Sequence, residues 1–437
     1  MDRFVSRLVL ATLFFSGAAL ADSAQDRSQG FIEDSKATAL YRNFFFYRNY
    51  LNESPQQQNY VKEWAQALML NYRSGYTQGL VGFGVDAQLY EAQKLDGGAG
   101  TGGSGLMPRE PDGDSRDYQT KVNGVLKARI SNTEIRYGQQ QPLNPVFGYS
   151  DLRLLPHSFT GWSLNSKEFA NVQIEAGHFT ASSPQTAENH DEALGLAFTN
   201  NRFLYTTRSA TYGGVIYTPT KTSTISLYGL NYEDIWNQYY LGYIFTHPIN
   251  KDLAYDLAFN LYRTLASGER KAGDIDNTTG SLTQGLSYRG HRLGVSYQQV
   301  WGDEPFDHAG SPGSYGQIWL ANINQYQEFN GPNEKSLQLR YSYNFTNLGL
   351  PGLDFMIRYT KGWDIDGTRA SVAYAGRYGA DVKQWERDMD FRYVVQSGSA
   401  KGLSFQLRYA VHRTSGVSAL RDLDDVRFIT QYPFNLF

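Results

Sequence analysis

Cysteine is absent from the 437-residue sequence, which excludes disulfides and thiolate metal sites and leaves burial and backbone pairing to hold the fold. Long apolar runs are missing too. Beyond Ala21 no stretch approaches the ~20 apolar residues that a membrane helix needs, and no apolar stripe at helical spacing persists for more than about two turns. Charge of one sign is also lacking: 40 basic and 43 acidic side chains give a formal charge of −3, so no overall attraction for nucleic acid exists. Any electrostatic function must be local.

Aromatic residues and glycine are abundant instead, with 32 Tyr, 25 Phe, 7 Trp and 43 Gly, while mean hydropathy stays in the range of soluble proteins. A lipid-facing β-barrel reconciles the two, because only alternate residues meet lipid and the others face water. Residues 1–21 read as a secretory signal. Arg3 and Arg7 form its positive start, Leu8 to Phe15 its apolar core and Ala19-Leu20-Ala21 its small-x-small cleavage site. Cleavage before Asp22 is expected, leaving 22–437 as the barrel.

Period-two alternation runs through nearly the whole remainder. Leu253, Tyr255, Leu257, Phe259 and Leu261 alternate with Ala254, Asp256, Ala258, Asn260 and Tyr262, and the turn His247–Asp252 joins them to Tyr239, Leu241, Tyr243 and Phe245. Val122–Ile130 turns through Ser131-Asn132-Thr133 into Ile135 and Tyr137, and Leu337–Phe345 turns through 346–352 into Leu353–Tyr359. Short turns interleave with long polar stretches near 94–118, 139–168, 263–281, 301–316, 361–386 and 412–425, the asymmetry of bacterial barrels. The glycine-rich run Gly97–Gly105 is followed by no helix pattern, so it reads as a flexible outer loop and not a phosphate loop. At ~10 residues per strand the chain suits roughly 16 to 18 antiparallel strands around an aqueous lumen. Its last strand ends on an aromatic, Phe437, as closure against the first strand requires.

If the apolar positions face lipid, Arg340, Arg358, Arg392, Arg408 and Arg427 fall on the wet side of successive C-terminal strands. Guanidinium groups grip carboxylates with paired hydrogen bonds, and several weak sites in a row can pass an anion along. The plain alternative is that they neutralise lumen acids such as Asp388 and Asp390. Arg42 and Arg48 lie in a first strand with aromatics on both faces, so alternation does not settle their facing. The stiff, partly apolar loop Gln139–Gly161 suits folding into the lumen better than an exposed tip, with Asp151 and Arg153 at the narrowing. Asp303, Glu304 and Asp307 form an acidic patch that would hold the cation of a zwitterionic or basic solute, or be a solvated loop face. His157, His178 and His412 lie near Ser or Asp, but so many candidates meet by chance, and neither enzyme chemistry nor a cofactor or metal is expected.

The chain resembles the OprD family of substrate-selective outer-membrane porins. Gly30-Phe31-Ile32-Glu33-Asp34-Ser35 resembles the family's opening, Asp151-Leu152-Arg153-Leu154-Leu155-Pro156 its constriction-loop motif and Tyr432-Pro433 its closing strand. The resemblance implies a Gram-negative outer membrane, 18 strands, an inward third loop and a basic ladder guiding carboxylates. The segments 302–307, 364–368 and 393–398 are more like the branch associated with basic amino acids and peptides than the branch for aromatic and similar acids. Arg392, Arg408 and Arg427 match the ladder, while Gln406 stands where the first branch has arginine. The expected ligands are small carboxylates or zwitterions, the expected surroundings outer-membrane lipid, and the assembly a monomer or loose trimer. A channel for organic acids, or a less selective porin, is the alternative.

Overall fold

A computed structural model describes residues 23–51, 58–201, 203–313 and 316–437; the expected leader, 1–21, lies outside the described residues. The first seven strands are β1 (Lys36–Tyr50), β2 (Tyr60–Arg73), β3 (Val81–Asp96), β4 (Tyr118–Ile130), β5 (Thr133–Gln140), β6 (Ser158–Ser166) and β7 (Val172–Ser183). After the two short strands β8 (Leu194–Leu196) and β9 (Thr206–Thr207) come β10 (Ala210–Thr220), β11 (Ser223–Tyr232), β12 (Trp236–Pro248), β13 (Leu253–Ala266), β14 (Asp276–Tyr288) and β15 (His291–Trp301). The short β16 (Ala309–Gly310) precedes β17 (Lys335–Asn344), β18 (Leu353–Ile365), β19 (Val382–Val394), β20 (Ser404–Ser415) and β21 (Leu423–Asn435). Eighteen of these form one sheet. Every pair is antiparallel, and β21 pairs with β1 from Thr38↔Asn435 to Tyr50↔Leu423, so the ring has no edge.

β4 shows why this sequence makes a wall. Its exposed positions include Tyr118, Val122 and Leu126, and its buried ones include Gln119, Lys121, Asn123 and Lys127. That inversion is what a strand between hydrocarbon and a polar lumen requires. The short connections lie at one end of the ring. At Arg289-Gly290 both residues have positive φ, 48° and 91°, as a two-residue hairpin demands. The long loops lie at the other end.

Three local expectations are corrected. Residues 139–168 hold a strand, β6, as well as a loop. The second half of Gly97–Gly105 leads not into solvent but into packing: Ser104, Leu106 and Met107 are buried, and Ser104 hydrogen-bonds the inward Glu63 carboxylate. Third, the inner face is not wet all round. Phe179, Tyr212, Tyr228, Tyr240 and Tyr262 point inward from β7–β13 and build an apolar seat with Phe147 and Phe306 from two loops.

Candidate functional site

The loop between β5 and β6 crosses the lumen. On one wall Arg42 of β1, only 4% exposed, donates to both oxygens of Asp151 (2.7 and 2.9 Å) and to the carbonyls of Arg153 and Leu154 (2.8 and 2.9 Å). Across the ring, the Tyr262 hydroxyl of β13 donates to the Pro145 carbonyl at 3.0 Å. Leu154 and Leu155 are buried against Phe44 and Phe46, which explains the aromatics on the inner face of β1. Arg153 donates through Nε to the Ser104 carbonyl at 2.7 Å. Lys121 of β4, fully inside, reaches the carbonyls of Ser183 (3.1 Å) and Pro184 (2.7 Å) beside the loop's exit.

A second loop, 302–334, also enters the lumen. Its middle runs along the wall by giving backbone N–H groups to inward side chains: Trp319 to the Tyr262 hydroxyl (3.0 Å), Asn322 to Gln298 (2.9 Å), Gln325 to Asp388 (3.0 Å), and Tyr326 and Gln327 to Glu386 (2.9 and 2.8 Å). Tyr262 thus holds both loops through one oxygen. The loops meet at Gly148 and Gln317, where a Cβ on Gly148 would stand 2.7 Å from the Gln317 carbonyl.

The basic residues read from sequence on the strands all lie on the inner wall, in distinct states. Arg340 stands beside Arg358 and Arg358 beside Asp388; in the next row Asp390, Arg408, Arg427 and Phe46 are successive neighbours. Arg392 is nearer the short turns, beside Asp354 and Gln406. Arg358 is fastened to Asp388 (2.7 Å) and to the Ile323 carbonyl (2.8 Å). Arg427 is fastened to Asp425 (2.8 Å) and to the Gln325 carbonyl (3.0 Å). Arg48, whose facing alternation left open, points inward and donates twice to Asp425 at 2.9 and 2.7 Å. The guanidinium groups of Arg48, Arg153 and Arg427 all lie within 5.6 Å of the Phe46 ring. Less committed are Arg408, 3.3 Å from Asp390, Arg340, whose Nε has no acceptor among the described residues, and Arg392, which is exposed to the lumen.

The acidic patch is split by the fold. Asp307 is buried and accepts N–H groups from Ala197, Phe198 and His308, so it shapes the loop and does not face the solute path. Glu304 is buried, with Ser371 N at 3.4 Å. Asp303 pairs with Arg369 (2.7 Å) on the rim of a recess of about 690 Å³ that Asp274 and Asp276 also line.

Protonation is expected to tighten loop 302–334. Burial pushes the Glu334 carboxyl up to about 7 against the Gln384 amide and Gly331 N–H, and burial raises Asp307 despite His308 beside it. Burial lowers His308, but the Glu328 carboxylate at 2.6 Å and Asp307 outweigh it, and the net shift is upward. A group whose pKa is higher docked than free contributes docking energy that is complete below its free value and is lost as pH climbs to the docked one. For Glu334 that window runs from 4.5 to about 7, and His308 extends it upward from 6.5. Conductance and open-channel noise in planar bilayers are therefore expected to rise between pH 5 and 8. Glu334→Gln, which keeps the neutral form, should remove the lower part of the rise; identical profiles for both proteins would contradict this.

A closed ring of lipid-facing strands around a polar lumen, narrowed by two loops, is the architecture of an outer-membrane porin: a channel, not an enzyme. The family model described as outer membrane porin, OprD family, matches residues 29–436. Porin D of Pseudomonas aeruginosa is 42% identical over 95% of this chain and 94% of its own length, and porin-like protein GalP of Pseudomonas putida is 32% identical over 94% and 95%. The crystal structure of P. aeruginosa OprD superposes with a TM-score of 0.82 at 40% identity, covering 96% of this chain and all of that one. P. aeruginosa OpdK, solved with vanillate, gives 0.82 at 30% identity, covering 93% of this chain and all of its own. The chain belongs to the OprD family.

Proposed function

We propose that the channel passes small carboxylate-bearing nutrients selectively by diffusion, the carboxylate moving over Arg340, Arg408 and Arg392 while Arg42, Arg48, Arg358 and Arg427 hold the loops that set the aperture. The observation that carries the reading is the division of labour on one wall. Guanidinium groups tied to carboxylates and loop carbonyls are spent on structure, whereas the three less committed ones follow each other from the middle of the lumen toward the short turns. Vanillate, bound by a relative, is itself a carboxylate. Among carboxylates, basic amino acids suit the long-loop mouth, where their cationic end can exchange into the exposed ion pairs that Asp303, Asp274 and Asp276 make with Arg369, Arg270 and Arg263.

Neutralising the three less committed groups together, Arg340→Gln with Arg392→Gln and Arg408→Gln, should cut carboxylate uptake into liposomes at least ~10-fold, the worth of one charge-assisted hydrogen bond of about 1.5 kcal/mol. Neutral sugars of similar size should enter as before. Equal loss for both solutes would point to a collapsed pore, and no loss for either would remove the ladder. Competition between arginine and benzoate for the same current separates the basic amino acid reading from an organic-acid channel.

A further inference from the structure

A separate charge pattern lies on the outer wall, where it cannot act on a solute in the lumen. On the lipid-facing side of β17–β20, toward the long-loop end, stand Lys335, Lys361, Lys383, Arg387 and Arg413. Three are matched: Lys335 by Asp364 (2.9 Å), Lys383 by Asp381 (3.2 Å) and Arg413 by Asp424 (3.0 Å). Lys361 and Arg387 are exposed, and among the described residues neither makes a hydrogen bond or an ion pair. Lys361 stands beside Trp385 and Arg387 beside Tyr359, so the two cations are diagonal neighbours. The Trp385 and Tyr359 rings, with centroids 5.7 Å apart, occupy the other two corners.

Depth makes the absence of a partner consequential. Along β19, Arg387 is six residues above Tyr393, which belongs with Phe391 and Phe405 to the exposed aromatics at the short-turn end. At ~3.4 Å per residue and a strand tilt of ~40° that is roughly 15 Å up an apolar band about 25 Å tall, with Lys361, level with Trp385, about 5 Å higher, so both long side chains extend upward to the headgroup boundary. A guanidinium at that height is on the outside of the ring, so its counter-charge has to come from outside this chain. Diagonal neighbours on a sheet are ~7–8 Å apart at the backbone, close enough for two long cationic side chains to close on one phosphate from both sides. The flanking Trp and Tyr suit the boundary between headgroup and acyl chain.

We propose that Lys361 and Arg387 bind the phosphate of a phosphorylated glycolipid in the outer leaflet. Charge complementarity favours this occupant over a second copy of the chain. Native mass spectrometry of the full-length protein in detergent, titrated with bisphosphorylated lipid A, should show a bound lipid. The double variant Lys361→Gln/Arg387→Gln should hold it ~30-fold less tightly, about fivefold for each charge lost. Arg387→Lys, which keeps the charge, should stay within about threefold of the native protein. Fully dephosphorylated lipid A should bind native and double variant equally weakly, and unchanged single-channel conductance of the double variant would show that the barrel is intact. Equal retention of the bisphosphorylated lipid by native and double variant, binding of the dephosphorylated lipid to the native protein as tightly as the bisphosphorylated one, or a second protein copy in place of lipid would each overturn the proposal.

Discussion

Asp425→Asn is expected to destabilise the barrel by about 3–5 kcal/mol, the cost of leaving buried charge without its partner. The carboxylate is fully buried and serves two guanidinium groups at once, Arg48 at 2.7 Å and Arg427 at 2.8 Å, and it also accepts from Gln325 of the second inward loop at 2.7 Å. Arg427 is only 2% exposed, so water cannot take over for the lost charge. Urea unfolding of the refolded protein, followed by heat-modifiable gel mobility, should give a clearly lowered midpoint. A control in the rim pair Lys62–Asp96, where both partners are exposed, should leave the midpoint unmoved. An unchanged midpoint for Asp425→Asn would mean that the triad is hydrated and that the loop is held by other contacts.

Arg42→Ala should act on the aperture more than on the fold. The wild-type side chain gives four hydrogen bonds to the first inward loop, two to Asp151 and two to backbone carbonyls. Without them the Asp151–Leu154 edge loses its attachment to β1 while Tyr262 still holds Pro145 on the other wall. Single-channel conductance should rise roughly twofold or more as the narrowest section widens, and discrimination between solutes should fall with it. The unfolding midpoint should change less than for Asp425→Asn. Native conductance in the variant would assign the loop's position to the burial of Leu154 and Leu155 instead.

The wall was readable because a strand between two solvents must alternate. Leu339, Tyr359, Phe391, Leu407 and Phe428 are exposed on the lipid side, with the expected arginines opposite. The first loop was readable as well, since proline and phenylalanine in a long connection are out of place in water. The second was not: read as an outer stretch near 301–316, it reaches into the lumen as far as Glu334. Its inner part, with Asn322, Asn324, Gln325 and Gln327, has the composition of a solvated loop. A polar lumen offers such a segment the same hydrogen bonds that water does, so composition cannot separate the two. The same ambiguity hid Asp425. It lies two residues from Arg427 on the same face of β21, and that opposite charge at strand spacing was the available signal that Arg427 had a structural commitment.

The pairing of residues 38–50 with 423–435 has a consequence for biogenesis. The first strand exported waits for a neighbour that is synthesised only after nearly all the rest, so the hydrogen-bonding flank of β1 stays uncovered throughout translocation. That flank has to be shielded until the last strand covers it. Shortening the final strand should leave molecules that are inserted poorly and are open to proteolysis, not smaller working pores.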